Sequence, residues 1–116
     1  MKSKLLLITL LVLTIAGSFA QGTWTRKADF GGTARSAAVG FSIGDKGYIG
    51  TGNLGSTLYR DFWEYDPVNN VWSQKANVGG PVRYLATGYA TATHGYIGTG
   101  SDLTNNLADF WEYDPA

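Results

Sequence analysis

Hydrophobic and polar positions divide the chain into two unlike parts. Met1 to Lys4 holds two lysines, and Leu5 to Ala16 is then a run of 12 residues that is apolar apart from Thr9 and Thr14. Beyond it the apolar positions come in short bursts separated by Gly, Asn, Asp and Pro, and no stretch shows a helical period with capping residues. Arg35 to Ile43 is small and apolar, and Gly44-Asp45 gives a tight turn into Gly47 to Thr51. Asn53 to Arg60 is a polar loop. Asp61 to Tyr65 alternates Asp, Trp and Tyr on one face with Phe and Glu on the other, as a strand does. Asp66-Pro67-Val68-Asn69-Asn70 is a turn, because Pro presets φ and Asn tolerates the left-handed region; Val71 to Lys75 is a further strand. Each unit thus reads as four short strands, and the chain beyond residue 20 as all-β.

The pattern then repeats at an offset of 48 residues. Trp24 recurs as Trp72, Arg35 as Arg83, Gly47 to Gly52 as Gly95 to Gly100, and Asp61 to Pro67 as Asp109 to Pro115. Laid without gaps, residues 21–68 and 69–116 agree at 21 of 48 positions. A period of this size indicates supersecondary units that bury their faces against neighbours. The second copy, about 69–116, lacks its final strand.

These residues resemble the kelch family of β-propellers. Its motif has an Arg-led first strand, an aromatic strand ending in a glycine doublet, a polar loop, a strand ending in Tyr-Asp-Pro, and a later Trp. Here the counterparts are Arg35, Tyr48 to Gly52, Tyr65-Asp66-Pro67 and Trp72, then Arg83, Tyr96 to Gly100 and Tyr113-Asp114-Pro115. Both copies split the doublet, as Gly50-Thr51-Gly52 and Gly98-Thr99-Gly100, and the second first-turn, Ala92-Thr93-His94, lacks Gly. The resemblance covers residues 23 to 116 and implies four-stranded antiparallel blades around a channel. It implies that Ala37, Ala38, Gly40, Ala86 and Gly88 crowd the axis, while Trp63, Tyr65 and Trp72 fill the wedge between blades. Two repeats do not close a ring. Thr23 to Lys27 matches Val71 to Lys75 without preceding strands, and Asp109 to Asp114 has no strand after it. The expectation is a piece of a longer protein whose N-terminal strand completes the last blade; the alternative is a self-assembling oligomer of two-blade chains.

The N-terminal segment reads as an export signal. The apolar run, about 18 Å long as a helix, is too short for roughly 30 Å of hydrocarbon. Small residues at Ser18 and Ala20 suit cleavage after Ala20, leaving residues 21–116, with Gln21 first, secreted or periplasmic and without a membrane span. The chain has 9 basic and 9 acidic residues; without Lys2 and Lys4 that is 7 against 9, a net charge of −2, the wrong sign for a nucleic-acid partner. Gly at 16 of 116, 14% aromatic and 44% apolar residues suit strands and turns rather than disorder. With no Cys and one His, a disulfide scaffold, a thiolate zinc site, a cysteine nucleophile and a multi-histidine metal site are excluded for this segment.

Motifs that suggest chemistry have plainer explanations. Gly50-Thr51-Gly52-Asn53-Leu54-Gly55 fits a dinucleotide fingerprint, but no helix follows and the second copy has Leu103 at the third glycine. Asp61, Glu64 and Asp66, with Asp109, Glu112 and Asp114, suggest a calcium site or an acid–base pair; strand alternation turns Asp61 away, and Asp66 serves its turn. His94, alone in a turn, reads as solvated. Arg35 and Arg83 open the first strands at the rim where kelch-like propellers receive ligands. Each either holds a carboxylate bidentately or ties a loop to a backbone carbonyl, and recurrence favours the structural role. The loops Asn53 to Arg60 and Ser101 to Ala108 share that rim and differ between copies. Variable loops on a repeated scaffold are where binding resides. Asn53, Tyr59, Arg60, Asp102 and Asn105, with Arg35 and Arg83, are therefore the candidate ligand residues, with no catalytic residue, cofactor or metal expected here. Three functions fit: a secreted scaffold binding protein or carbohydrate, the N-terminal part of a propeller enzyme similar to galactose oxidase or the kelch-type sialic-acid epimerases, and an adhesive surface module. The enzyme reading puts catalysis in other blades, because the oxidase's copper residues have no match here.

Overall fold

The computed structural model describes residues 17–116, so the apolar run of the expected export signal lies outside the described residues. Gly17 to Ala20, the expected cleavage region, is exposed coil. The described chain is all-β and contains no helix. In the first repeat, β1 (Val39–Ile43), β2 (Lys46–Gly50), β5 (Phe62–Asp66) and β6 (Val71–Lys75) form a four-stranded sheet in the order β1-β2-β5-β6. All its pairings are antiparallel. In the second, β7 (Thr87–Ala90), β8 (Gly95–Gly98) and β9 (Phe110–Tyr113) form a three-stranded sheet in the order β7-β8-β9. Its register reproduces the first at the 48-residue offset: Val39 opposes Gly50 as Thr87 opposes Gly98, and Gly47 opposes Tyr65 as Gly95 opposes Tyr113.

Local chemistry sets the turns. Gly44 has φ +55° between β1 and β2. At the β5–β6 turn Asp66 Oδ1 accepts the backbone N–H of Val68 at 2.9 Å, and Asn70 takes the left-handed conformation. Two boundaries differ from expectation. The first strand begins at Val39 rather than Arg35, because Ala37 has φ +52°, leaving only a Ser36–Asn53 bridge before it. The polar loop carries its own hairpin, β3 (Asn53–Leu54) and β4 (Thr57–Leu58), turned by Gly55.

The two sheets pack face to face, and each contributes a different kind of face. The first offers Val39, Phe41, Ile43, Tyr48 and Phe62; the second offers Ile97, Tyr113, Ala86 and Ala90, with Val78 of the connector completing the core. Phe62 meets Tyr113 edge-on at 4.8 Å between centroids, and Tyr48 lies 5.6 Å from the same ring. Close approach depends on glycine. A Cβ at Gly95 would run into the Phe41 ring, and one at Gly88 into Val39. Large rings on one face thus sit over bare backbone on the other.

The rings expected between blades divide over the two sheets. Trp63, Tyr65 and Trp72 lie on the opposite face of the first sheet, where Phe30 meets Trp63 at 5.9 Å and Trp72 at 5.1 Å. Strand alternation requires it: Phe62 shares a face with Tyr48, so Trp63 and Tyr65 point away from the second sheet. Only their copies Trp111 and Tyr113 face the seam. All three first-copy rings are half-buried.

Phe62 is 2% exposed, whereas Val68 in the turn is 85% exposed. Phe62→Ala is expected to lower the unfolding free energy by about 3–5 kcal/mol. Val68→Ala should change it by less than about 0.5 kcal/mol. Chemical denaturation of the two variants decides the matter; equal effects would contradict the packing described.

Candidate functional site

At one end of the sheets each repeat builds the same polar clamp. Arg35 precedes the first strand and Asp61 precedes the third; the Thr51 N–H donates to the Asp61 carbonyl at 3.2 Å, drawing the two segments together. Arg35 Nη1 then donates to Asp61 Oδ1 at 2.5 Å and Nη2 to Oδ2 at 2.9 Å, a bidentate pair. Nη1 also reaches the Thr51 carbonyl at 3.1 Å, and Trp63 Nε1 donates to Asp61 Oδ2 at 2.7 Å. The second copy repeats every element. Arg83 Nη1 and Nη2 bind Asp109 at 2.9 and 2.6 Å, Nη1 donates to the Thr99 carbonyl at 2.9 Å, and Trp111 Nε1 donates to Asp109 Oδ2 at 2.7 Å. Both arginines therefore do both things the sequence left open, holding a carboxylate and tying a loop to a carbonyl. Their side chains are 3% and 0% exposed.

The clamps shift their acids. The hydrogen bonds from Arg83 and Trp111 outweigh burial and hold Asp109 down at about 2. For Asp61, burial raises the carboxyl, but hydrogen bonds from Arg35 and Trp63 together bring it below its ordinary value. The peptide beside each clamp is unusual. Thr51, fully buried, has φ +60°, and Thr99 repeats that angle. Gly52 follows at φ +94°, and a Cβ there would stand 2.5 Å from the Ser36 carbonyl oxygen. Thr51 and Gly52 are thus a pair of left-handed residues, of which only Gly52 must be glycine for space, while Gly50 is glycine because a Cβ there would meet Phe62 at 2.7 Å.

Around the first clamp the structure gathers four of the candidate residues. The Arg35 guanidinium lies between the rings of Tyr59, 4.2 Å away, and Phe30, 4.9 Å away. Tyr59 N–H donates to the Gly52 carbonyl, the Gly52 N–H to the Arg83 carbonyl, and the Arg83 N–H to the Tyr59 carbonyl. The first loop is thereby fastened to the second repeat. Asn53 is engaged locally, donating to the Gly55 carbonyl at 2.9 Å and accepting from Ser36 Oγ at 3.3 Å. Arg60 turns away to the Gly80 carbonyl at 3.2 Å, on the connector. Asp102 and Asn105 stay within their own loop: Asp102 Oδ1 accepts the N–H groups of Thr104 at 2.9 Å and Asn105 at 2.7 Å. Those two bonds hold the Asp102 carboxyl below its usual range.

The acidic set disperses. Asp61 goes to Arg35, Glu64 accepts from Tyr48 Oη at 2.7 Å and lies 3.4 Å from Lys75 Nζ, and Asp66 pairs with Lys46 at 3.0 Å. Among the described residues no three His, Cys, Asp or Glu side chains converge as a metal site requires. Gly50 to Gly55 leads into the β3–β4 hairpin, without the helix N-terminus that a phosphate cradle uses. His94 corrects the expectation of a solvated side chain: it is half-buried, with Nε2 3.6 Å from Asp114. The pair is the 48-residue copy of Lys46–Asp66, and that offset was the signal for it. Asp61 and Asp109 were missed as arginine partners, although both recur at the same spacing as the arginines. Among the described residues no helix is long and apolar enough to cross a membrane. The chain matches no model of a known protein family and no curated protein sequence.

Asp61, Asp66, Asp102 and Asp109 all hold their protons less firmly than free carboxyls do. Their stabilisation is complete above the unfolded value, about pH 4, and is lost as the pH falls through the folded values. For Asp66 and Asp109 those lie at about 2. Denaturation midpoints should accordingly hold level from neutral pH to about 4 and drop steeply below it. A level midpoint throughout that acid range would show that the clamps contribute nothing.

Proposed function

We propose that the chain is an exported, kelch-type β-propeller segment whose rim loops bind a protein or carbohydrate ligand. The observation that carries this reading is the contrast at the clamp end. Two structurally equivalent Arg–Asp clamps, identical down to the indole and the threonine carbonyl, carry loops 53–60 and 101–108, which share no residue at any equivalent position. A scaffold held fixed while its loops diverge suits recognition, where each loop supplies its own contacts. Aromatic, amide and guanidinium groups at Tyr59, Asn53 and Arg60 suit a sugar or a polar peptide, since a ring face stacks and flanking groups accept and donate. The arginines of the clamps support the loops, and the burial of their guanidinium groups leaves contact with ligand to the loop side chains. The blade reading draws on the strand order β1-β2-β5-β6 and on the repeat-to-repeat packing.

A panel of immobilised glycans and surface proteins from the producing cell tests this. Retention without turnover is expected, and Tyr59→Ala with Arg60→Ala should weaken it by about tenfold or more. Retention that survives the loss of both loops, or no retention on any member of the panel, would refute the proposal.

A further inference from the structure

The seam between the two sheets is a template for a second seam, open among the described residues. The outer face of the second sheet stacks Tyr89, Tyr96 and Phe110, with centroids 5.1 Å apart for the first pair and 5.7 Å for the second. These are the copies of Phe41, Tyr48 and Phe62, the rings that fill the existing seam, yet Tyr89 and Phe110 are 50% and 54% exposed. The outer face of the first sheet repeats the receiving surface. Gly40 and Gly47 copy Gly88 and Gly95; a Cβ on Gly40 or Gly47 would meet only its own sheet, so among the described residues the bare backbone that seats Phe41 in the seam has no ring on it here.

A strand is in the same position. β9 carries no strand on its outer edge among the described residues, whereas its copy β5 carries β6. Beside β9 runs a groove of about 360 Å³, bounded by Phe62, the connector Ala76–Gly79, Trp111 and Tyr113. Thr23 to Lys27, the copy of β6, forms no strand, and Trp24 is fully exposed. Its own β9 is on the wrong side. The Ala28 N–H donates to Asn70 Oδ1 at 2.9 Å and its carbonyl accepts Trp72 Nε1 at 3.2 Å, fixing the chain on the face of the first sheet turned away from the second. The stretch after Ala28 is already placed as in the other copy: Gly31 presses on Trp63 as Gly79 presses on Trp111.

We infer that residues 23–27 of one copy of this chain add as a fourth strand to β9 of a second copy, while the ring-bearing outer face of that copy seats on the glycine-bearing face of the first. The β5–β6 register transfers by 48 residues. Trp72 opposes Tyr65, so Trp24 opposes Tyr113 and falls into the groove lined by Ala76, the copy of the Ala28 whose carbonyl takes the Trp72 indole. Lys75 lies 3.4 Å from Glu64, so Lys27 meets Glu112 of the partner. The contact is head-to-tail: each copy gives a strand at one face and receives one at the other, so association continues until a ring closes or a fibre grows. This rests on packing and register alone and is independent of what the rim loops bind.

Sedimentation and light scattering of the purified chain, with three variants, test it. The wild type should assemble beyond a monomer at about 100 μM. Trp24→Ala should weaken assembly by roughly thirtyfold, because a central buried indole dominates such contacts. Lys27→Glu should weaken it too, and Lys27→Glu with Glu112→Lys should restore it, a recovery that general stickiness would not produce. A wild-type monomer at that concentration overturns the inference. So does assembly that Trp24→Ala and Lys27→Glu leave unchanged, since another surface would then be responsible.

Discussion

A buried guanidinium opposite a carboxylate is the interaction on which the remaining structure depends. Arg83 has no exposed side-chain surface, and a cation so placed is tolerable only with charge and hydrogen bonds returned to it. Asp109 supplies the charge and two acceptors, and the Thr99 carbonyl a third. Meeting that demand draws the segment before β7 onto the segment before β9, across β8. The backbone of the same arginine bonds to Gly52 and Tyr59 of the other repeat, so a single residue fixes its own rim and fastens its neighbour's loop. The Arg35–Asp61 pair does the first task for its repeat, and the rings of Phe30 and Tyr59 close over it.

The second constraint is the unlikeness of the two faces of each repeat. One bears rings on all of its first three strands, while the other bears glycines on the first two and Trp and Tyr rings only beyond them, so the rings of the first face seat on the bare backbone of the second. A seam forms only between unlike faces, as Phe41 over Gly95 and Val39 over Gly88 illustrate. Repeat units that cannot bury their faces alone need neighbours for this reason. Burial is accordingly concentrated at one seam, with Phe62, Ile97 and Tyr48 at 2%, 4% and 3% exposure, while equivalent rings elsewhere stay open.

Much of this was legible in the residues. The Pro-Asn turn and alternation located β6 at its observed ends, and the 48-residue offset carried one sheet's register to the other. Alternation separates the two aromatic sides of β5, Phe62 on one and Trp63 and Tyr65 on the other. Period two says that they separate; it does not say which side meets the neighbour. The β3–β4 hairpin was hidden because its strands are two residues long and its composition is that of a loop. At the rim, the arginines were evident from recurrence, whereas their partners lay inside an acidic run that suggested metal chemistry. The left-handed Thr51 had no signal, since threonine seldom adopts that conformation and only the carbonyl's bond to Arg35 explains it.

If the clamp organises the rim, Arg83 and Asp109 must be energetically coupled. A double-mutant cycle with Arg83→Met, Asp109→Leu and the pair together, followed by chemical denaturation, measures that coupling free of each residue's other contacts. Either single change strands a partner, and the double change leaves two apolar groups, so a coupling above about 2 kcal/mol is expected. Additive effects within about 0.5 kcal/mol would contradict the clamp as the organising interaction.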